Sequence, residues 1–161
     1  MSKVVPKRTA AWTAIVSGAL IVGSLDLLDA IIFFGLRGAK PIRILQSIAA
    51  GLLGRAAFSG GVATGALGAF LHYFIAFGIV LTYFFVAGKL RSLATHPFLY
   101  GPIYGVAVYL VMNLIVVPLS AATPAPRSLA VIINGLAIHI FGVGLPTALC
   151  VRAALTGSGQ Q

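Results

Sequence analysis

The sequence predicts an all-α, polytopic membrane protein: four transmembrane helices in an antiparallel bundle, plus a short amphipathic helix between helices 1 and 2. Three observations carry that reading. Four apolar stretches are each long enough to cross a hydrocarbon core of about 30 Å, which takes about 20 helical residues. The 161 residues are 60% hydrophobic and 8% charged, whereas a soluble domain has about 25% charged residues. The links after the second and third stretches are short, which makes consecutive helices antiparallel.

The first stretch covers 10–36. A basic lead, Met1 to Arg8, precedes it as in a signal peptide. The apolar run that follows is about 26 residues, far beyond the 7 to 15 of a cleavable core, so it reads as a retained span. Segment 41–54 follows, with Pro41 suited to a first helical turn. It places Arg43, Gln46, Ser47 and Ala50 on one side and Ile42, Ile44, Leu45, Ile48, Leu52 and Leu53 on the rest. That length and pattern fit either an interfacial or shallow re-entrant helix or a buried connector that caps the bundle. The remaining spans are 61–88, 100–119 and 129–151, all in a single membrane domain, 1–161. Pro97 reads as a helix stop in one link, and Pro124 with Pro126 mark the other. Four antiparallel spans put both termini on one side.

Basic residues divide nearly evenly. Lys3, Lys7, Arg8, Lys89, Arg91 and Arg152 fall on the terminal side, and Arg37, Lys40, Arg43, Arg55 and Arg127 on the other. The small excess points to cytoplasmic termini. The net charge of +9 is spread over every loop, which suits anionic lipid headgroups and excludes a nucleic-acid face, which needs clustering. Trp12, Tyr83, Tyr100 and Tyr104 read as an interfacial belt. Cys150 has no partner for an internal disulfide and reads as a packing residue. His96, before Pro97, reads as an exposed loop residue.

Only two carboxylates occur, Asp26 and Asp29, both inside the first span. A charge at mid-bilayer costs about 2.5 to 3.5 kcal/mol on insertion scales, so such residues face a protein interior, water or a partner. Counting along each helix from the face that carries 37–60 gives a common depth. Asp26 and Asp29 lie about 7 to 10 residues in, His72 about 11, His139 about 10 and Asn113 about 6, within one or two turns at ~1.5 Å per residue.

Facing agrees with depth. His72 lies on the stripe Gly61, Gly65, Gly68, His72, Ala76, and His139 on Gly135, His139, Gly142, Pro146. Asp26 lies on Ala19, Gly23, Asp26, Ala30, with Asp29 about 60° away. Small residues let membrane helices approach closely, so Gly61, Gly65, Gly68, Gly101, Gly105, Gly135 and Gly142 are expected at helix contacts. Pro118 and Pro146 each leave a carbonyl without its helical donor, which can line a cavity. A weak echo pairs His72 with His139 and Asp26 with Asn113, as if helices 1–2 and 3–4 were repeats.

The cluster Asp26, Asp29, His72, Asn113 and His139 has several readings. Its members can satisfy one another and fix helix register, or mark a path for protons or a small solute. Asp26, His72 and His139 are the set that would hold a metal, if any. His72 and His139 could flank a haem b. No cofactor is favoured over none. GxSxG and HExxH are absent, so no enzymatic activity is expected. A structural role as an accessory subunit, with a membrane-protein partner or a second copy, is the alternative.

The runs PIRILQSIAAGLLG (41–54), LGAFLHYFIAF (67–77), YGVAVYLVMNLIVVPLS (104–120) and LAIHIFGVGLPTAL (136–149) resemble a family of small bacterial inner-membrane proteins. More distantly, the chain is similar to YagU-type membrane proteins. The resemblance spans nearly the whole chain. It implies about four spans and a location in the bacterial cytoplasmic membrane, and it brings no catalytic residues.

Overall fold

A computed structural model describes residues 8–123 and 128–156, with side chains from 11 to 155 in those ranges. The expectations for Lys3, Lys7, Pro124, Pro126 and Arg127, and for the side chain of Arg8, lie outside these residues. Every regular element described is helical. The long helices are α1 (Arg8–Gly35), α3 (Gly61–Lys89), α5 (Pro97–Leu119) and α6 (Leu129–Leu155), joined by α2 (Pro41–Leu53) and the five-residue α4 (Arg91–Thr95). All four long helices are apolar enough to cross a membrane, with mean hydropathy near 2.0. Their outer faces carry exposed apolar side chains such as Phe70 (66%) and Leu114 (68%), which is the surface a lipid solvent requires.

Helix α1 packs against α3 on one side and α6 on the other, and α5 packs against α6. At the terminal end a dry core closes the bundle, built from Val22, Ala76, Val80, Val143, Ala148 and Val151. Tyr83 and Tyr104 belong to this core rather than to an interfacial belt. Tyr83 is 1% exposed, its ring meets Tyr104 edge-on at 4.9 Å, and its hydroxyl donates to the Leu93 carbonyl. Tyr104 donates to the Ile79 carbonyl at 2.7 Å and so ties α5 to α3. A buried phenol needs a partner, and backbone carbonyls supply it here. Trp12 is exposed, as a belt residue would be.

Pro97 opens α5 instead of ending a helix. It occupies the first turn, where its missing N–H is no loss, and α4 fills the link before it. His96 is exposed beside Thr95.

Helix α2 lies directly on α3. A Cβ at Gly68 would overlap the Leu45 carbonyl, and one at Gly65 the Ile42 side chain, so α3 meets α2 at backbone distance. Gln46, which sequence grouped with the polar side, is buried. Its amide donates to the Gly61 carbonyl at 3.0 Å, beside the Thr64 hydroxyl. Gly51 of α2 also accepts from the Ala121 N–H in the α5–α6 connection. Helix α2 thus ties α3 to the α5–α6 connection. Gly61 has φ +59° and open space where a Cβ would be. It serves the turn into α3, where a left-handed conformation favours glycine, and not helix contact.

Candidate functional site

The helix interruptions set the geometry. In α5, Met112–Val116 forms a π-helical turn, and in α6, His139–Gly144 forms another. Each precedes a proline, Pro118 or Pro146. Proline has no N–H for the carbonyl four residues back and its ring crowds that carbonyl. Widening the previous turn relieves both. Single π turns of this sort recur at functional sites, and these two bring Asn113 and His139 onto one cavity wall.

That cavity has a volume of about 600 Å³. Its floor rests on Val22, Ala76 and Val143 of the dry core. Asp26 and Ala30 line it from α1, His72 and Ile75 from α3, Met112 and Asn113 from α5, and His139 from α6. Arg43, Ser47 and Ile48 line it from α2. The structure thus brings Asp26, His72, Asn113 and His139 around one space. Asp29 is not on that wall. It accepts a hydrogen bond at 2.7 Å from the Asn134 amide, which crosslinks α1 to α6 one turn away.

Hydrogen bonds fix the imidazole tautomers. His72 Nε2 lies 2.7 Å from the Gly23 carbonyl of α1. A carbonyl only accepts, so Nε2 carries a hydrogen, and in the neutral ring Nδ1 keeps its lone pair. His139 Nδ1 lies 2.8 Å from the Gly135 carbonyl in its own helix, which leaves Nε2 as the acceptor of the neutral ring. Asn113 donates to the Tyr109 carbonyl. Among the described residues Asp26 makes neither a hydrogen bond nor an ion pair, and its electrostatic neighbours are His139, His72 and Asp29. The groups do not satisfy one another. Each imidazole donates to a backbone carbonyl, and the Asp26 carboxylate accepts a hydrogen bond from neither ring.

Metal and haem fit this arrangement poorly. Among the described residues no three His, Cys, Asp or Glu side chains converge on a common point for a metal ion, so Asp26, His72 and His139 stand around the cavity without a shared centre. For a bis-histidine haem, the His72 Nε2 is already held by a carbonyl of α1.

Glycines set the closeness of α5 and α6. A Cβ at Gly105 would overlap the His139 carbonyl, and one at Gly101 would press on Leu145. One at Gly144, which sequence reasoning passed over, would overlap the Gly101 carbonyl. Gly135 makes room for the Tyr109 ring, whereas Gly142 faces Ile138 of its own helix and, more loosely, Leu25 of α1. Sequence reasoning also missed the place of Arg43 and Ser47 on the cavity wall. Their signal was present as the polar side of 41–54, but which neighbour that side faces is a tertiary matter. Arg43 donates to the Phe58 carbonyl at 3.0 Å and its guanidinium lies over the Phe58 ring.

Comparison of the chain with family models, curated proteins and solved structures gave no match.

Proposed function

We propose that this multi-pass protein of a bacterial cytoplasmic membrane is a translocator, with the cavity as its site and Asp26 as the group that changes protonation as it works. The single observation that carries this reading is a carboxylate on the wall of a cavity inside the spans, without a hydrogen-bond or ion-pair partner among the described residues. A structural carboxylate in such a place is expected to be satisfied, because an unpaired buried charge costs several kcal/mol. Asp29 supplies the contrast, being bonded to Asn134. A carboxylate kept free is positioned to take up and release a proton. The dry core between the cavity and the terminal end acts as a closed gate in this arrangement.

Reconstitution into vesicles loaded with a pH-sensitive dye tests the reading, with a potassium diffusion potential as the drive. Wild-type protein should move protons faster than protein-free vesicles, and Asp26→Asn should lower the rate at least about tenfold while eluting as a monodisperse species. A wild-type rate equal to that of empty vesicles, or an unchanged rate in Asp26→Asn, removes the proposal.

A further inference from the structure

We infer that the cavity binds a lipophilic monocation, an apolar body carrying one positive charge, which displaces the proton from Asp26. The inference rests on the translocator reading and names the class of its solute. Three features select this chemistry. The cavity is about 600 Å³, within the ~300 to 1,000 Å³ of small-molecule sites, and its walls are mainly aliphatic.

The ionisable groups deep in the cavity offer acceptors: the Asp26 carboxylate and, in the neutral rings, Nδ1 of His72 and Nε2 of His139, while Asn113 gives one amide hydrogen to the Tyr109 carbonyl. An anion would meet a carboxylate and two lone pairs. A neutral polar solute would leave the carboxylate without a counter-charge. Only a cation compensates it.

The protein's own cation on the wall, Arg43 of α2, is bonded to the Phe58 carbonyl with its guanidinium 5.5 Å from the centroid of that ring, and makes no ion pair with Asp26 among the described residues. The apolar walls then require that the rest of the ligand be hydrophobic.

Proton and ligand compete for one charge. The ionisable groups facing Asp26 are Asp29 on its own helix, His72 from α3 and His139 from α6, with Arg43 on the cavity wall from α2 and the non-ionisable Asn113 from α5. Affinity should therefore rise with pH, by about tenfold per unit while one proton is exchanged, and level off once Asp26 is unprotonated.

Equilibrium dialysis of the full chain in mild detergent against tetraphenylphosphonium and tetraphenylborate, matched in shape and opposite in charge, tests this. The cation should bind about one per chain, more tightly at higher pH, and the anion at least tenfold more weakly. Asp26→Asn should weaken cation binding at least tenfold and flatten its pH dependence, whereas Asp29→Asn should keep both.

Should Asp26→Asn not fold, wild-type protein in weak buffer still decides. Adding the cation should release close to one proton per ligand bound at pH values where affinity still rises about tenfold per unit. Equal binding of the two ions, or cation binding with neither a pH dependence nor proton release at any pH where the protein stays folded, overturns the inference. Absence of cation binding beside Asp26-dependent proton flux overturns the inference and leaves the translocator reading standing. Binding with proton release but no flux does the reverse.

Discussion

Helices α1 and α3 differ from α5 and α6 in how they reach the cavity. The first pair is unbroken along its length and is held together by side chains that cross between helices. His72 donates to the Gly23 carbonyl, and the hydroxyls of Ser24 and Tyr73 lie 3.0 Å apart. The second pair is interrupted by π turns one turn before Pro118 and Pro146, and is held by glycines that bring backbones together. His139 and Asn113 bond only within their own helices. The faint repeat between the halves therefore does not extend to their mechanics. One half is a cross-braced frame that presents the carboxylate, and the other, interrupted by π turns and bonded within its own helices at Asn113 and His139, is the weaker-braced half.

The sharpest way to break this contrast is to force the glycine contact apart. Gly105→Leu should destabilise the protein by about 3 kcal/mol, since overpacking a closely fitted contact costs that much, read as a lower unfolding midpoint in detergent. Gly78→Ala, with nothing within 4 Å of the added carbon, should change it little. Removing the tie between Asp29 and Asn134 by Asn134→Leu should cost about 1 to 2 kcal/mol, at the upper end of interhelical hydrogen bonds in membranes.

The two histidines should then separate. His72→Phe should cost roughly 1 kcal/mol because its bond crosses helices, while His139→Phe should cost less than about half of that. Equal losses would erase the distinction between frame and weak half. Amide exchange sharpens it further. Protection should be lower at 112–116 and 139–144 than at matching depths in α1 and α3, because π turns hold their amides less well. Pro146→Ala should raise protection in the second segment.

An effect of the opposite sign lies at Thr147, fully buried with an unpartnered hydroxyl among the described residues. Thr147→Val should be neutral or stabilise by up to about 1 kcal/mol, as removing an unsatisfied polar group does.

Much of the fold was legible because its causes are local. Span lengths, apolar runs and the amphipathic stretch at 41–54 are properties of consecutive residues, and the solvent they demand follows from composition. The common depth of Asp26, His72, Asn113 and His139 was also legible, since helical rise converts residue number into height. Less visible was which polar groups stand free. Asp26 and Asp29 are three residues apart and alike on paper, yet Asp29 meets the Asn134 amide and Asp26 lines the cavity. Tyr83 and Tyr104 were misplaced for the same reason, because an aromatic near a span's end suits an interface or a core equally.

The chain's own pattern of apolar and polar residues determined the number of long helices, their antiparallel order and the level at which acid and imidazole sit. Only the tertiary structure decided that each imidazole turns its hydrogen to backbone, that two prolines widen the turns beside the cavity, and that α2 lies on α3 with Arg43 on the cavity wall. Those outcomes depend on which atoms of distant segments come within hydrogen-bond or van der Waals reach, and residue spacing along one helix carries no information about that.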